Sequence, residues 1–289
     1  MKLVKEKVLP LIMTALAEDI GCGDITVAIV FEKDTRSRAD IVAKEDCVIA
    51  GIDVAGWVFK ALDERMRSVA LCKDGDSVSK GEKVMHLKGP LKSMLAGERV
   101  ALNFLSRLSG VATLTARFVA KTKGTRALIL DTRKTMPGMR LLDKYAVSAG
   151  GGYNHRMGLW DGVLIKDNHL DSLQLTVNSS RVRVIIDSVK KAKVKGYKNV
   201  EIEVDNLKEF KAALDAGADI IMLDNMKPVQ IKKAVQLGRL RHSDVLLEVS
   251  GGVNIDNVHS IAKTGVDRIS IGLLTHSAPS VDFSLELCK

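Results

Sequence analysis

Six short apolar runs alternate with helical segments in the second half of the chain, and this alternation constrains the fold more than any other feature. The runs are ALIL (127–130), GVLI (162–165), VEIEV (200–204), DIIML (219–223), VLLEV (245–249) and RISIG (268–272). Three of the helical segments end near Gly217, Gly238 and Gly265, and glycine suits the left-handed turn that closes a helix. Repeated strand and helix units predict a parallel sheet in an α/β barrel that is smaller or less regular than an eight-stranded one.

The residues before these runs predict a separate α+β unit. Short strand patterns surround a helical segment, and a long helix extends from about Leu91 to Lys121 with one apolar stripe. The opening residues imitate a secretory signal, but their apolar side chains share one helical face, and Pro10 and Glu18 suit a surface helix. No run approaches the roughly 18 apolar residues of a membrane span. We therefore expect an amphipathic first helix in a cytoplasmic protein without a membrane partner.

Composition and charge narrow the class of partner. The 289 residues are 46% hydrophobic and 27% charged, which is typical of a globular protein. A net charge of +9 permits nucleic acid or anionic small substrates, but only 4% aromatic residues and the lack of a nucleic-acid-binding motif disfavour the former. The four cysteines form no CxxC motif, so we expect free thiols rather than a zinc site or disulfides.

Polar side chains follow the apolar runs. Functional groups of a βα barrel lie at the carboxyl ends of its strands, so these positions predict the site. In chain order they are Arg133 and Lys134, then Lys166 to His169, Glu203 and Asp205, Asp224 and Asn225, Ser250 to Gly252, and Gly272. Such a rim favours binding of an anion and stabilisation of a developing cation. Pro137 is expected to open the helix after the first run. Arg140 inside that helix suits a structural or interface pair as well as it suits a ligand contact.

The stretch VEIEVD places acids on one face of a strand. Glu201, Glu203 and Asp205 alternate with Ile202 and Val204, so the acids are expected to point into the barrel while the apolar side chains pack on helices. Carboxylates inside a barrel cost several kcal/mol unless they are paired or bound to metal. The nearby lysines and arginines could pair with them structurally, and a ligand site is the other interpretation.

Two glycine turns and a basic loop complete the predicted rim. SGGV (250–253) and SIG (270–272) each follow a strand, where backbone N–H groups and a helix N-terminus hold phosphate well. His155 and Arg156 lie in the loop before the second run. A lone histidine is more often structural than catalytic, whereas the planar guanidinium of Arg156 suits a carboxylate or a phosphate.

Long motifs in order along nearly the whole chain resemble the quinolinate phosphoribosyltransferase family. They include GERVALNFLSRLSGVAT, LDTRKTMPGMRLLDKYAVSAGGGYNHRMGL, VLIKDNHL, EIEVDNLKEFKAALDAGADIIMLDN and EVSGGVN. The resemblance implies an α/β fold with an incomplete α/β barrel of the type II phosphoribosyltransferase kind over residues 113–274. It also implies an N-terminal α+β open sandwich over residues 1–112, joined by a returning tail, 275–289.

The resemblance implies a reaction as well. Quinolinate and phosphoribosyl pyrophosphate would give nicotinate mononucleotide, pyrophosphate and carbon dioxide with Mg2+, a step of NAD biosynthesis. The family's working unit is a homodimer in which Arg99 would reach the neighbouring site, with a hexamer of dimers left open.

Residue roles carry over at matching positions. The carboxylates of quinolinate would meet Arg99, Arg133, Lys134, His155 and Arg156. The ribose, pyrophosphate and magnesium would face Lys166, Glu203 and Asp224, of which Glu203 and Asp224 would be the metal ligands. The 5′-phosphate would be held by Ser250, Gly251 and Gly272. The implied catalytic set is Lys134, Lys166, Glu203 and Asp224.

The sequence leaves two alternatives to this function open. A paralogous phosphoribosyltransferase of the same fold would act on another acceptor, although Arg133, Lys134, His155 and Arg156 favour a dicarboxylate. A non-catalytic binder of phosphate ligands or nucleic acid would spread its cations over a surface, whereas here they cluster at strand ends. The chain departs from the family's pattern at Trp160 and over residues 170–183, both next to the predicted site.

Overall fold

The computed structural model describes residues 1–241 and 244–288. The helices are α1 (Lys5–Ile20), α2 (Ile25–Val30), α3 (Ile52–Leu62), α4 (Leu91–Thr122), α5 (Arg140–Ala149), α6 (Asp167–Val177), α7 (Arg181–Val194), α8 (Leu207–Asp215), α9 (Pro228–Arg241), α10 (Val258–Ala262) and α11 (Leu273–His276). The strands are β1 (Arg36–Ala43), β2 (Cys47–Val48), β3 (Arg67–Ala70), β4 (Ser77–Val78), β5 (Lys83–Pro90), β6 (Leu128–Leu130), β7 (Leu164–Ile165), β8 (Glu201–Val204), β9 (Ile220–Asp224), β10 (Leu246–Ser250), β11 (Arg268–Ser270) and β12 (Phe283–Leu287).

The chain forms two compact units. The first contains Met1–Ala116, Thr135–Gly151 and the stretch from Leu274 onward, and the second contains Arg117–Lys134 and Gly152–Leu273. The first unit therefore includes α5, which lies in the chain between two parts of the second.

An antiparallel sheet organises the first unit. Its strand order is β12-β1-β5-β3, so the last strand of the chain pairs along β1. Helix α1 packs on α3 and buries Val8, Ile12 and Leu16, which confirms the predicted amphipathic first helix. The long helix also matches its prediction, from Leu91 to Thr122. Over the described residues, no helix combines the length and the hydrophobicity needed to cross a membrane.

A six-stranded parallel sheet organises the second unit, and all six apolar runs form its strands as predicted. The order is β6-β11-β10-β9-β8-β7, with parallel pairing throughout. Tyr153 extends the β6 edge through a parallel bridge to Leu130. No pairing joins β6 to β7 among the described residues, so the sheet is an incomplete barrel, as expected.

Strand register places a row of polar side chains on one face of this sheet. Glu203 lies beside Met222, Met222 beside Glu248, and Glu248 beside Arg268. Neighbours in register share a face, and Glu201 lies two residues before Glu203, so these acids point the same way. The residues that alternate with these acids along the strands, such as Ile202, are buried on the opposite face. Both faces of a parallel sheet are covered, which explains the apolar runs.

Two predicted helix ends are confirmed and one is wrong. Gly217 and Gly265 follow α8 and α10 with φ of 83° and 91°, the left-handed conformation expected of a closing glycine. Gly238 instead lies buried inside α9, which continues to Arg241. A side chain there would press on Leu247, whose Cδ1 lies 3.3 Å from an added Cβ, so close packing accounts for this glycine.

The helix after β6 begins later than predicted. Pro137 lies in a turn, and α5 starts at Arg140 because Gly138 is in the left-handed region with φ of 77°. Arg140 is thus the first residue of the helix, and its Nε donates to Thr135 Oγ1 at 3.1 Å.

Candidate active site

Lys166 and Glu203 form an ion pair where β7 and β8 end. Lys166 Nζ lies 3.2 Å from Glu203 Oε2, and the glutamate side chain is only 7% exposed. Burial raises the pKa of Glu203, while the Lys166 charge opposes that rise and Asp224 adds to it. Glu203 is therefore buried on the face predicted to line the barrel interior, and the charge of Lys166 offsets the cost of burying the carboxylate.

Asp224 ends β9 beside this pair. Burial raises its pKa, and the positive charges of Lys166 and Lys134 oppose the rise. Its Oδ2 accepts a hydrogen bond of 2.6 Å from Asn225 Nδ2. The negative charge of Asp167 acts on both Glu203 and Asp224. The charges of two lysines and three carboxylates therefore act on one another at this edge of the sheet.

Arg156 and Arg133 form the basic side of the site. Burial lowers the pKa of Arg156, and the positive charge of Arg133 lowers it further, whereas the charge of Glu201 opposes the change. Arg156 Nη1 donates to the Gly162 carbonyl at 2.8 Å, which orients the side chain. Two cations held near each other are poised for an anion that relieves their repulsion.

The predicted phosphate turn after β10 has a fixed backbone. Gly251 and Gly252 have φ of 88° and 60°, and a Cβ on Gly251 would lie 2.2 Å from Asn225 Oδ1. Asn225 N donates to Ser250 O at 3.0 Å, and Asn257 Nδ2 donates to Gly252 O at 2.9 Å. Glycine is therefore required at 251 both by conformation and by space. Gly272 lies between β11 and α11.

His155 lies against two buried glutamates. Its Nε2 is 3.1 Å from Glu201 Oε2 and 3.4 Å from Glu248 Oε1, and Ser270 Oγ donates to Glu248 Oε1. Glu248 is fully buried, and its other oxygen, Oε2, lies 4.0 Å from Arg268 Nη1. We call Glu201, Glu248 and His155 the acid-histidine cluster.

The ring nitrogens of His155 have opposite demands. Burial opposes a charge on the ring, but hydrogen bonds and charges of Glu201 and Glu248 outweigh it and raise the pKa of His155 to about 9. However, the Arg156 N–H points at Nδ1 from 2.8 Å, which requires a lone pair there. The hydrogen bond to Nδ1 decides the protonation state of the ring, because a second proton at Nδ1 would lie against the Arg156 N–H. The ring is then neutral, with its hydrogen on Nε2.

The remaining predicted positions differ in exposure. Lys134 and Arg99 are exposed, with Arg99 on α4 of the first unit. Asp205 follows the end of β8 and is exposed, so the expectation that it points inward is wrong. His169 has a local role, since its Nδ1 accepts the Lys166 N–H at 2.9 Å in a capping arrangement at the start of α6. The four cysteines are free thiols, as predicted.

Comparison with known proteins agrees with this arrangement. The chain matches the models of the quinolinate phosphoribosyl transferase C-terminal domain over residues 111–286 and N-terminal domain over residues 24–109. The chain belongs to the quinolinate phosphoribosyl transferase family. It is 39% identical to nicotinate-nucleotide pyrophosphorylase (carboxylating) of Mycobacterium leprae, over 96% of this chain and 95% of that protein. The solved nicotinate-nucleotide pyrophosphorylase of Francisella tularensis is 40% identical, with a TM-score of 0.90 over 99% of this chain and 98% of that one.

Two groups in this family member have the donor atoms of a metal site. Glu203 and Asp224, with Asp167 nearby, offer carboxylate oxygens at a partly exposed edge, which fits the preference of Mg2+ for oxygen ligands. His155, Glu201 and Glu248 offer ligand atoms within 4.8 Å of one another. The ring nitrogen Nε2 already lies 3.1 Å from Glu201 and 3.4 Å from Glu248, so the ring itself fills the space between the two acids.

Sequence reasoning missed the groups behind the rim. Glu248 stands alone in an apolar run, and Asp131 ends another; an acid inside such a run is the signal that would have identified them. Asp131 is fully buried, and its oxygens accept from His155 N at 2.9 Å and Asn154 Nδ2 at 2.7 Å. It therefore fixes the backbone that carries His155 and Arg156.

Arg181 joins three elements in the segment that departs from the family's pattern. It begins α7 and pairs with Asp171 of α6, with Asp205 after β8 at 3.4 Å, and with Glu209 of α8 at 3.1 Å. Only 20% of the Arg181 side chain and 9% of the Glu209 side chain are exposed. The segment that includes α6 is thereby tied to the end of β8, two residues after Glu203.

We expect Arg181→Ala to lower the free energy of unfolding by about 1–3 kcal/mol, because it leaves the buried Glu209 without its cation. Arg183→Ala is the matched control: Arg183 pairs with Asp187 in an exposed i,i+4 contact, and its loss should cost about 0.5 kcal/mol or less. Urea denaturation followed by circular dichroism measures both variants. Equal stability losses would contradict the role of Arg181.

Proposed function

We propose that this protein transfers the phosphoribosyl group of phosphoribosyl pyrophosphate to quinolinate with decarboxylation, giving nicotinate mononucleotide, pyrophosphate and carbon dioxide. Membership of the quinolinate phosphoribosyl transferase family supports the proposal. The observation that carries it is that Arg133 and the Lys166–Glu203–Asp224 group lie at the carboxyl ends of parallel strands, and that the charges of Arg133 and Arg156 act on each other.

The acceptor would be bound by its carboxylates. Quinolinate is a dianion, and the neighbouring charges of Arg133 and Arg156, with the exposed Lys134, would offset its two negative charges. Because Arg156 is already held by the Gly162 carbonyl, little side-chain freedom is lost when the acceptor binds.

The first chemical step would form one bond and break another. The pyridine nitrogen donates its electron pair to C1′ of the ribose, and the C1′–O bond to pyrophosphate breaks with its electrons leaving on oxygen. Positive charge develops on the ribose, and negative charge develops on the leaving group. Glu203 and Asp224 would stabilise the former by their negative charge, and Lys166 would stabilise the latter by its positive charge.

Glu203 and Asp224 would also hold Mg2+, which supplies charge neutralisation of the pyrophosphate. After transfer, the alkylated pyridinium is an electron sink. The bond from C2 to its carboxylate breaks, carbon dioxide leaves, and C2 takes a proton from solvent. The chain's own residues need only keep the ring oriented, and Ser250, Gly251 and Gly272 would hold the 5′-phosphate through the fixed turns.

We extend the proposal to assembly and location. Arg99 is exposed on α4 and available to a neighbouring chain, which supports a homodimer in which it reaches the partner's acceptor site. Free thiols and the metabolic role support a cytoplasmic location.

The deciding assay uses purified protein with quinolinate, phosphoribosyl pyrophosphate and Mg2+, and follows nicotinate mononucleotide and carbon dioxide. Nicotinate serves as the control acceptor, and chelation of the metal should stop turnover until Mg2+ is restored. Absence of product with quinolinate would favour a paralogous phosphoribosyltransferase that acts on another acceptor.

We expect Glu203→Ala to fold and to lose on the order of a hundredfold in kcat, because a preorganised charge beside the reacting ribose is removed. Glu203→Gln keeps the shape of the side chain but not its charge, so a similar loss is expected. Initial rates and thermal melting measure both effects. Full activity in either variant would remove Glu203 from the mechanism.

We expect Arg133→Ala to raise the KM for quinolinate far more than that for nicotinate, which lacks the 2-carboxylate, with a difference of about tenfold or more. Arg183→Ala, which removes an exposed arginine, is the matched control and should change neither KM. Steady-state kinetics with both acceptors decide the point. Equal rises for the two acceptors would show that Arg133 does not recognise the 2-carboxylate.

We expect a mixture of Arg99→Ala and Glu203→Ala chains to recover about a quarter of wild-type activity after exchange of subunits, since half the dimers are mixed and each has one intact site. Each variant alone should be far less active. Rates are measured before and after reversible dissociation of the mixture. Activity that never exceeds that of the separate variants would mean that Arg99 serves its own chain.

A further inference from the structure

Glu248 is a buried acid for which the transfer reaction has no use. It is fully buried inside β10, two residues before the strand ends. An apolar side chain at this position would cost less free energy to bury. A carboxylate in such a place costs several kcal/mol unless its partners are well placed. Its Oε1 accepts a hydrogen bond from Ser270 Oγ and lies 3.4 Å from His155 Nε2.

We propose that Glu248 is a positioning residue of the acceptor site: with Ser270 it anchors the His155 ring, and through the adjoining peptide it fixes the guanidinium of Arg156. The inference deepens the proposed function, because it rests on Arg156 binding a carboxylate of the acceptor.

The contacts form a continuous path from the sheet to the rim. Ser270 on β11 orients Glu248, and Glu248 Oε1 lies 3.4 Å from His155 Nε2. The other ring nitrogen accepts the Arg156 N–H at 2.8 Å, so the orientation of the ring sets the direction of that peptide. Arg156 Nη1 then donates to the Gly162 carbonyl at 2.8 Å, which sets the direction of the guanidinium.

Glu201 and Asp131 limit the freedom of the same loop. Glu201 Oε2 lies 3.1 Å from His155 Nε2, and Asp131 accepts the His155 N–H at 2.9 Å. The ring is thus held at Nε2 by two acids and at Nδ1 by its own chain, so in this geometry both nitrogens face protein atoms. His155 acts here by holding Arg156, and Glu248 is the member of the cluster whose only assigned task is to hold His155.

The experiment measures quinolinate binding by calorimetry and the His155 Nε2–H resonance by NMR on protein labelled with 15N-histidine. In Glu248→Ala we expect the dissociation constant of quinolinate to rise about tenfold, because Arg156 loses its fixed direction. The dissociation constant of phosphoribosyl pyrophosphate should stay within about twofold of its wild-type value. The slowly exchanging Nε2–H signal should be lost. Glu248→Gln retains a carbonyl oxygen for Ser270 and His155, and should restore both properties.

Asp267→Asn is the matched control. Asp267 is another buried carboxylate of the same sheet, but it lies at the opposite end of β11, where it pairs with Arg126 and Arg239. Its loss should reduce stability without changing either dissociation constant or the His155 signal. If Glu248→Ala does not fold, Ser270→Ala takes its place in the experiment. This substitution removes the hydroxyl that orients Glu248, and we expect the dissociation constant of quinolinate to rise about threefold.

An unchanged quinolinate constant in folded Glu248→Ala, or equal rises for both ligands, would overturn the inference. Persistence of the His155 signal in that variant would overturn it as well. If the wild-type protein binds no quinolinate, the proposed function fails, and the NMR measurement still decides whether Glu248 anchors His155.

Discussion

Carboxylates buried on one face of a parallel sheet impose the constraint on which the rest of this structure depends. Glu201 and Glu203 in β8 and Glu248 in β10 share one face of the sheet, and burial of each charge would cost several kcal/mol without a partner. Lys166 pairs with Glu203 from the end of β7. The neutral ring of His155, in the loop before β7, lies against Glu201 and Glu248, and burial together with the charge of Glu248 raises the pKa of Glu201, which reduces the negative charge held there. The same pairings that permit these acids therefore hold the loops of the rim in place.

The two ends of the sheet have different tasks. At the amino ends of the strands, Asp267 is paired with Arg126 and Arg239 and accepts the Leu247 N–H at 2.8 Å, an arrangement that serves stability. At the carboxyl ends, Lys166 and Asp224 are only partly covered and are available to ligands. This division is the one that parallel βα folds favour, because loops after the strands vary without disturbing the core.

Several expectations failed where a local pattern had more than one physical cause. Gly238 had the spacing of a closing glycine, yet it is needed inside α9 by contact with Leu247. Asp205 continued the alternation of VEIEVD, but β8 ends one residue earlier, and the side chain pairs with Arg181 instead. Pro137 suited a first helical turn, but the left-handed Gly138 delays the helix to Arg140.

The sequence by itself determined the parallel strands, the polar residues that follow them and the family, because apolar periodicity and long motifs depend only on neighbours along the chain. Only the tertiary structure decided which side chains meet. Glu248 and His155 are far apart in sequence, and their contact depends on strand order and on one rotamer of the ring. Such pairing across a sheet has no signature in spacing. An acid inside an apolar run indicates that Glu248 has a role, but only the fold shows that its partner is His155.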